Sequence, residues 1–225
     1  MTGWPGAVLS ARGTFFSRRS RSSRSWRASR LYLKDYKMPK SIHVLGFSGS
    51  LRKASYNTGL LKAAQEMLPD GMTLELFDLA PIPLFNQDLS DAGAFPGVVL
   101  EFKARIKAAD ALLVATPEYN FSMPGVLKNA VDWASRPIKD SPFNDKPAAV
   151  MGAGGMMGTS RAQYHFRQVA VFLNLRLLNK PEVTVPNAQQ KFDASGRLVD
   201  ETTRGFLRTL LEALYDWTLR LSKNR

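Results

Sequence analysis

Between Gly46 and Asn57 the chain reads Gly-Phe-Ser-Gly-Ser-Leu-Arg-Lys-Ala-Ser-Tyr-Asn, placing three hydroxyls (Ser48, Ser50, Ser55), an amide (Asn57) and a guanidinium (Arg52) where an apolar run gives way to a helical pattern. The start of a helix leaves N–H groups unpaired and carries the positive end of the helix dipole, and both favour an anion. Hydroxyl, amide and guanidinium donors at that point are the ligands a phosphate takes. The Gly-Lys-Ser/Thr ending of a Walker loop is missing, and so is the third glycine of a dinucleotide fingerprint, so a mononucleotide phosphate fits better. A plainer reading of the same residues has Ser55 or Asn57 simply capping the helix, with Arg52 and Lys53 solvated.

Two further segments could contact a planar group. The first is Thr116-Pro-Glu-Tyr-Asn-Phe-Ser-Met-Pro-Gly-Val-Leu-Lys-Asn-Ala-Val-Asp-Trp133, where Ser122 is expected as a helix N-cap with Pro124 in the first turn. Tyr119 offers a ring face for stacking, and Asn120 offers both a donor and an acceptor. The alternative is an exposed tyrosine in a proline-rich loop. The second segment, Gly152-Ala-Gly-Gly-Met-Met-Gly158, has four glycines in seven residues and no nucleophile or base among its side chains. Its backbone N–H groups would suit the electron-rich edge of a reduced flavin, where negative charge develops; simple loop flexibility is the alternative.

These segments need elements to hold them. From Ile42 onward, apolar runs of strand length alternate with helical patterns, which predicts βαβ units and a parallel sheet. Strands are expected near Ile42 to Phe47, Thr73 to Leu79, Ala111 to Thr116, Ala148 to Gly152 and Glu182 to Val185. The first and third are almost continuously apolar, which suggests burial on both faces. Helices are expected near Tyr56 to Met67, Gly97 to Ala108, Pro124 to Trp133, Ser160 to Leu175 and Glu201 to Leu221. In the last, Phe206, Leu210, Leu214, Trp217 and Leu221 recur at helical spacing and predict a core stripe. With strands in the order 2-1-3-4-5, the first and third flank the place where the order reverses, and ligands bind in the crevice left there.

Composition narrows the chemistry. None of the 225 residues is cysteine and only two are histidine, which removes disulfides and thiolate metal sites and leaves any redox chemistry to a bound cofactor. The net charge of +12 is concentrated at one end: residues 1–37 hold seven Arg and two Lys against Asp35, giving +8 and leaving +4 for the other 188 residues. Residues 1–37 are expected to be a disordered basic tail, and residues 38–225 the folded domain, with Met38-Pro39 resembling a natural start. An over-extended start or dispensable tail, a mitochondrial transit peptide and a nucleic-acid arm are the readings of that tail; it lacks the apolar run of a secretory signal. No stretch is long enough to cross a membrane.

The Gly-Ser-Leu-Arg-x-x-Ser-x-Asn loop, the Thr-Pro-Glu-Tyr-Asn-x-Ser-x-Pro-Gly-x-Leu-Lys-Asn-Ala-x-Asp-Trp segment and Gln163-Tyr-His-Phe-Arg-Gln168 together resemble the NADPH-dependent FMN reductase family, above all its bacterial quinone and chromate reductases. The resemblance covers about residues 39 to 221. It implies an α/β flavodoxin-like three-layer sandwich with a five-stranded parallel sheet, tightly held FMN, NADPH or NADH as electron donor, and a homodimer or homotetramer. By position it makes Ser50, Arg52, Ser55 and Asn57 phosphate ligands and Pro117, Glu118, Tyr119 and Asn120 the isoalloxazine loop, with Glu118 acting through its backbone or an interface contact. Gly152, Ala153, Gly154 and Gly155 stand beside the flavin, where close relatives often have serines. The helix through Arg161, Tyr164, His165 and Arg167 is expected at a subunit interface, and His43 is expected to be structural. The function implied is a cytoplasmic ping-pong reductase in which bound FMN, with no catalytic side chain and no metal, passes hydride to a quinone or another small acceptor such as chromate, an azo compound or free flavin. Neither nucleic acid nor membrane is an expected partner. A flavodoxin-type electron carrier without its own nicotinamide-oxidising activity is the alternative; the excess of positive charge speaks against it.

Overall fold

A computed structural model describes residues 41–222; the basic tail of residues 1–37 lies outside the described residues. In β1 (Ile42–Ser48), Ile42 and Val44 are buried in one layer and Leu45 and Phe47 in the other, so the strand has no solvent face, as its continuous apolar run predicts. The other strands are β2 (Met72–Phe77), β3 (Ala111–Ala115), β4 (Pro147–Ala153), β5 (Arg176–Leu177) and β6 (Val183–Val185). β3 and β4 are buried at every position. All pairings are parallel, in the order β2-β1-β3-β4-β5, with β6 also paired to β4. This is the expected 2-1-3-4-5 arrangement.

The fifth position differs from the single strand expected at Glu182 to Val185. Two short strands share it: β5 pairs with Pro147 and Ala148, and β6 pairs with Met151 to Ala153. Between them runs a segment containing Pro181, which has no N–H to contribute to a ladder.

The helices are α1 (Tyr56–Gln65), α2 (Gln87–Asp91), α3 (Gly97–Ala108), α4 (Gly125–Ala134), α5 (Ser160–Phe172) and α6 (Glu201–Ser222). Leu60, Leu61, Ala63 and Ala64 of α1 join Leu207, Leu210, Leu211 and Leu214 of α6 on one face of the sheet. Phe102 and Ile106 of α3, Leu127, Val131 and Trp133 of α4, and Phe166 of α5 cover the other. The result is a three-layer α/β sandwich. Short α2 has no apolar period to predict it; its N-terminus is held by Asn86, whose side chain accepts from Asp88 N at 2.9 Å.

The stripe expected on the last helix is displaced by one residue. Leu210 and Leu214 are buried, but Phe206 is 59% exposed, Trp217 and Leu221 are half-buried, and Thr203, Leu207, Leu211 and Thr218 complete the buried face. Trp217 lies at the rim, where its indole N–H donates to Arg176 O at 2.7 Å.

Candidate cofactor site

Because β1, β3 and β4 are parallel neighbours, their carboxyl ends meet at one edge, and the three segments singled out above follow from those ends. Backbone bonds stitch the edge together: Gly49 N donates to Ala115 O at 2.9 Å and Thr116 N to Met151 O at 3.0 Å. Asn57 completes the seam from α1. Its side chain, on a residue only 3% exposed, donates from Nδ2 to Ala153 O at 3.0 Å and accepts at Oδ1 from Ala153 N at 2.9 Å. The amide expected to face a phosphate is thus engaged with the end of β4, and it locks the start of α1 to the glycine-rich loop.

In the first loop Ser55 is the N-cap of α1, its Oγ accepting from Thr58 N at 3.3 Å. The N–H groups of Tyr56 and Asn57 have no acceptor among the described residues, so two donors of the first turn stay available to an anion. Ser48 Oγ accepts from Ser50 N at 3.2 Å, and Ser50 Oγ accepts from Arg52 N at 3.4 Å, folding the loop over itself. Arg52 is exposed, lies 4.5 Å over the Tyr56 ring and has no carboxylate partner among the described residues. A guanidinium held on an aromatic face and unpaired by acid is a ready cation for a phosphate.

The second loop is a tight reversal. Tyr119 N donates to Ser122 O at 3.0 Å and Ser122 N to Tyr119 O at 2.9 Å, with Asn120 and Phe121 both left-handed (φ 50° and 65°). Positive φ at both central residues is what a two-residue turn of type I′ requires. Pro117 is buried at the base of the loop, while Tyr119 at its rim is 53% exposed and free to stack on a planar ring. Helix α4 begins at Gly125, and the Ser122 hydroxyl does not cap it; that hydroxyl lies 2.9 Å from His165 Nδ1 on α5.

The Glu118 side chain is engaged within the chain, which leaves its backbone for the role that the resemblance implied. Its carboxylate is 9% exposed; Oε2 accepts from Arg161 N (3.0 Å) and Ala162 N (3.1 Å), and Oε1 from Arg161 Nε (2.6 Å). Thr159, which precedes α5, makes no side-chain cap, so Glu118 caps α5 from 43 residues away and places negative charge at its positive end. The Arg161 guanidinium also lies 3.7 Å over the Phe121 ring, tying the tip of the second loop to the same helix. Replacing Glu118 with Ala should therefore destabilise the fold by about 2–3 kcal/mol, because two helix N–H groups and a guanidinium lose a charged partner. Glu118→Gln, which keeps one acceptor, should fall between the two; a thermal midpoint for Glu118→Ala equal to wild type would show that the cap contributes nothing.

In the third loop, Gly152 and Ala153 are the last residues of β4, with Gly154 following and bonded through its N–H to Val185 O at 3.0 Å. The N–H groups of Gly155, Met156 and Met157 find no acceptor among the described residues. They form a row of donors beside exposed methionines (Met156 82%, Met157 54%). His43, expected to be structural, is paired with Glu75 Oε2 at 3.1 Å, away from this edge of the sheet. Among the described residues no group of three or more His, Cys, Asp or Glu side chains is placed to hold a metal ion, and no helix is long and apolar enough to cross a membrane. What the edge offers is one cationic, donor-rich end at the first loop, an exposed aromatic ring at the second and unpaired backbone N–H groups at the third. That set suits a phosphorylated group with a planar, electron-accepting ring.

Comparison with known proteins agrees with that chemistry. The sequence profile described as NADPH-dependent FMN reductase matches residues 42–190. The chain is 55% identical over 185 residues to an NAD(P)H-dependent FMN reductase of Pseudomonas aeruginosa, covering 82% of this chain and 99% of that protein. It is 50% identical over 185 residues to an NADPH:quinone oxidoreductase of Arabidopsis thaliana, covering 80% and 93%. Among solved structures, the flavoenzyme NAD(P)H:(acceptor) oxidoreductase of Paracoccus denitrificans superposes with a TM-score of 0.72 at 35% identity, over 80% of this chain and 98% of that one. On its loops, its sheet order and these matches, the chain belongs to the NADPH-dependent FMN reductase family.

Proposed function

We propose that this chain is an FMN-containing oxidoreductase that takes electrons from NADPH or NADH and reduces quinone-like small acceptors. The observation that carries the reading is the convergence of the three loops: an anion site at the start of α1, an exposed ring at Tyr119 and unpaired N–H groups at Gly155 to Met157, all at the carboxyl edge of β1, β3 and β4. Bound FMN supplies two-electron hydride chemistry, which no side chain here could supply alone. The protein's part is to bind and orient. Ser50, Ser55, Arg52 and the first-turn N–H groups of α1 hold the phosphate; Pro117, Tyr119 and Asn120 line the ring, with Glu118 and Asn57 fixing the loops that carry them. Gly152, Ala153, Gly154 and Gly155 present no polar side chain, and the N–H groups after them would offer donors to the polar edge of a bound ring. The quinone acceptor is taken from what several relatives are named for. Residues 38–225 form the reductase domain in this reading, residues 1–37 an appendage that it does not need, and the assembly is a homodimer or homotetramer in the cytoplasm.

The test is an absorption spectrum of the purified protein, followed by anaerobic NADPH or NADH and then a panel of quinones. Flavin bands that bleach with the nicotinamide and return with a quinone are expected. A flavin that stays oxidised would overturn the reading in favour of an electron carrier. Arg52→Ala should raise the dissociation constant for FMN by about ten- to a hundredfold, since a charge-assisted contact to phosphate is lost. Its thermal stability without flavin should change by less than about 0.5 kcal/mol, Arg52 being exposed. Unchanged flavin retention would rule Arg52 out as a phosphate ligand.

A further inference from the structure

A second cationic cavity adjoins the first loop. It has a volume of about 210 Å³ and lies between α1 and the tip of a hairpin closed by the bridge between Phe192 and Leu198. Its wall carries Lys53, Lys62 and Arg197, the hydroxyl-bearing Ser55 and Thr58, and a single acid, Glu66.

The walls are built rather than incidental. Asp193 Oδ1 accepts from Ser195 N (2.9 Å), Ser195 Oγ (2.6 Å) and Arg197 N (3.0 Å), so the tip is a closed turn. Those bonds, the Ser195 hydroxyl foremost and then the Arg197 N–H, hold the Asp193 carboxyl below the usual carboxylate range and keep it ionised inside the turn. The tip rests directly on α1: a Cβ on Gly59 would come within 2.1 Å of Gly196 O, a contact that only glycine permits. Glu66 is engaged by Arg204 at 3.1 Å and Arg197 at 3.8 Å. Lys53 and Lys62 have no carboxylate partner among the described residues, which leaves the cavity with surplus positive charge and little acid to offset it.

A compact dianion with several acceptor oxygens is what such a wall recognises, and a phosphomonoester is that group. Lys53 and Ser55 belong to both this cavity and the first loop, so the two anion sites are contiguous. The two nicotinamide donors differ by one such group, the 2′-phosphate on the adenosine ribose of NADPH. We propose that this cavity receives that 2′-phosphate and that Lys62 and Arg197 set a preference for NADPH over NADH. The proposal rests on the reading of the chain as a nicotinamide-dependent reductase. Lys62, on the exposed side of α1, and Arg197, on the hairpin, approach the phosphate from opposite walls, while the FMN phosphate is left to Arg52 and the start of the helix.

The experiment uses the full chain with its flavin and measures binding by calorimetry. The probes are adenosine 2′,5′-bisphosphate, 5′-AMP and inorganic phosphate, applied to wild type, Lys62→Gln and Arg197→Gln. Wild type should bind the bisphosphate at least about tenfold more tightly than 5′-AMP, and each variant should lose about tenfold for the bisphosphate while its affinity for 5′-AMP changes by less than about twofold. In turnover, the ratio of kcat/KM for NADPH over NADH should fall by the same factor in each variant. Equal binding of the two adenosine phosphates by wild type, undiminished bisphosphate binding in both variants, or inorganic phosphate binding as tightly as the bisphosphate would each overturn the assignment. A protein that oxidises neither nicotinamide would instead defeat the reductase reading, and the calorimetry would still decide what the cavity binds.

Discussion

Replacing Asn57 with Ala should destabilise the protein by about 2–5 kcal/mol, the loss expected when a buried backbone donor and a buried backbone acceptor are stripped of their partners together. For a domain of this size that is a fall in thermal midpoint of about 5–15 °C. Both orphaned groups belong to one residue, Ala153, and Asn57 is 3% exposed, so water cannot readily replace the amide. Asn57→Asp separates this account from one based on side-chain volume. The aspartate has nearly the same shape and can still accept from Ala153 N, but its second oxygen faces the Ala153 carbonyl where a donor is needed. It should therefore cost at least as much as Ala near neutral pH, whereas a near-isosteric substitution valued only for packing would cost little. FMN retention should fall in both variants, because the start of α1 is no longer tied to the glycine-rich loop. A midpoint within a degree or two of wild type for Asn57→Asp would show that the two bonds are not what holds the seam.

The second large effect is expected at Gly152. A Cβ there would lie 1.9 Å from Thr159 Oγ1 and 2.4 Å from the Thr116 carbonyl oxygen. The threonine is fully buried and its hydroxyl accepts from Gln163 Nε2 at 3.1 Å, and the carbonyl belongs to the backbone seam between β3 and β4 and cannot move without opening it. Gly152→Ala should cost about 2–4 kcal/mol, at or just beyond the upper part of the range for overpacking. The double variant Gly152→Ala/Thr159→Ala should recover part of that loss, since it removes one of the two clashes; a non-additive gain on the thermal midpoint measures the coupling. Gly155→Ala is the control. A Cβ at Gly155 meets nothing within 4 Å, so the substitution should stay within about 0.5 kcal/mol of wild type. If Gly155→Ala were as damaging as Gly152→Ala, general loop flexibility rather than close approach would explain the glycines.

The third loop, Gly152 to Gly155, has little but backbone to offer, and backbone donors are useful only if their positions are held. Asn57 holds Ala153, Thr116 and Thr159 crowd Gly152, and Glu118 caps the helix that follows Thr159. These groups come from or flank all three loops, so the three loops set one another's geometry.

The chain's own pattern determined a good deal of this. The doubly covered strands were legible in the apolar runs at Ile42 and Ala111 because burial on both faces removes the alternation a half-exposed strand would show. The start of α1 at Ser55 was legible because an N-cap bonds to a residue three positions on, within the motif itself. That the strands run parallel was legible in the alternation of strand and helix, whereas their order, which brings the three loops to one edge, was implied only by the family resemblance. Features decided by partners far along the chain were not legible. That the Asn57 side chain bonds to Ala153, 96 residues later, could not be read from the loop itself. Glu118 gave no sign that its charge would be spent on α5. On α6, apolar residues at both Phe206 and Leu207 allow two neighbouring stripes at the same period, and only packing against the sheet decided that the buried face centres between them, with Leu207 in and Phe206 out. Local chemistry writes caps, strands and turns into the order of residues; which donor meets which acceptor across a seam depends on packing, and that exists only once the layers have closed.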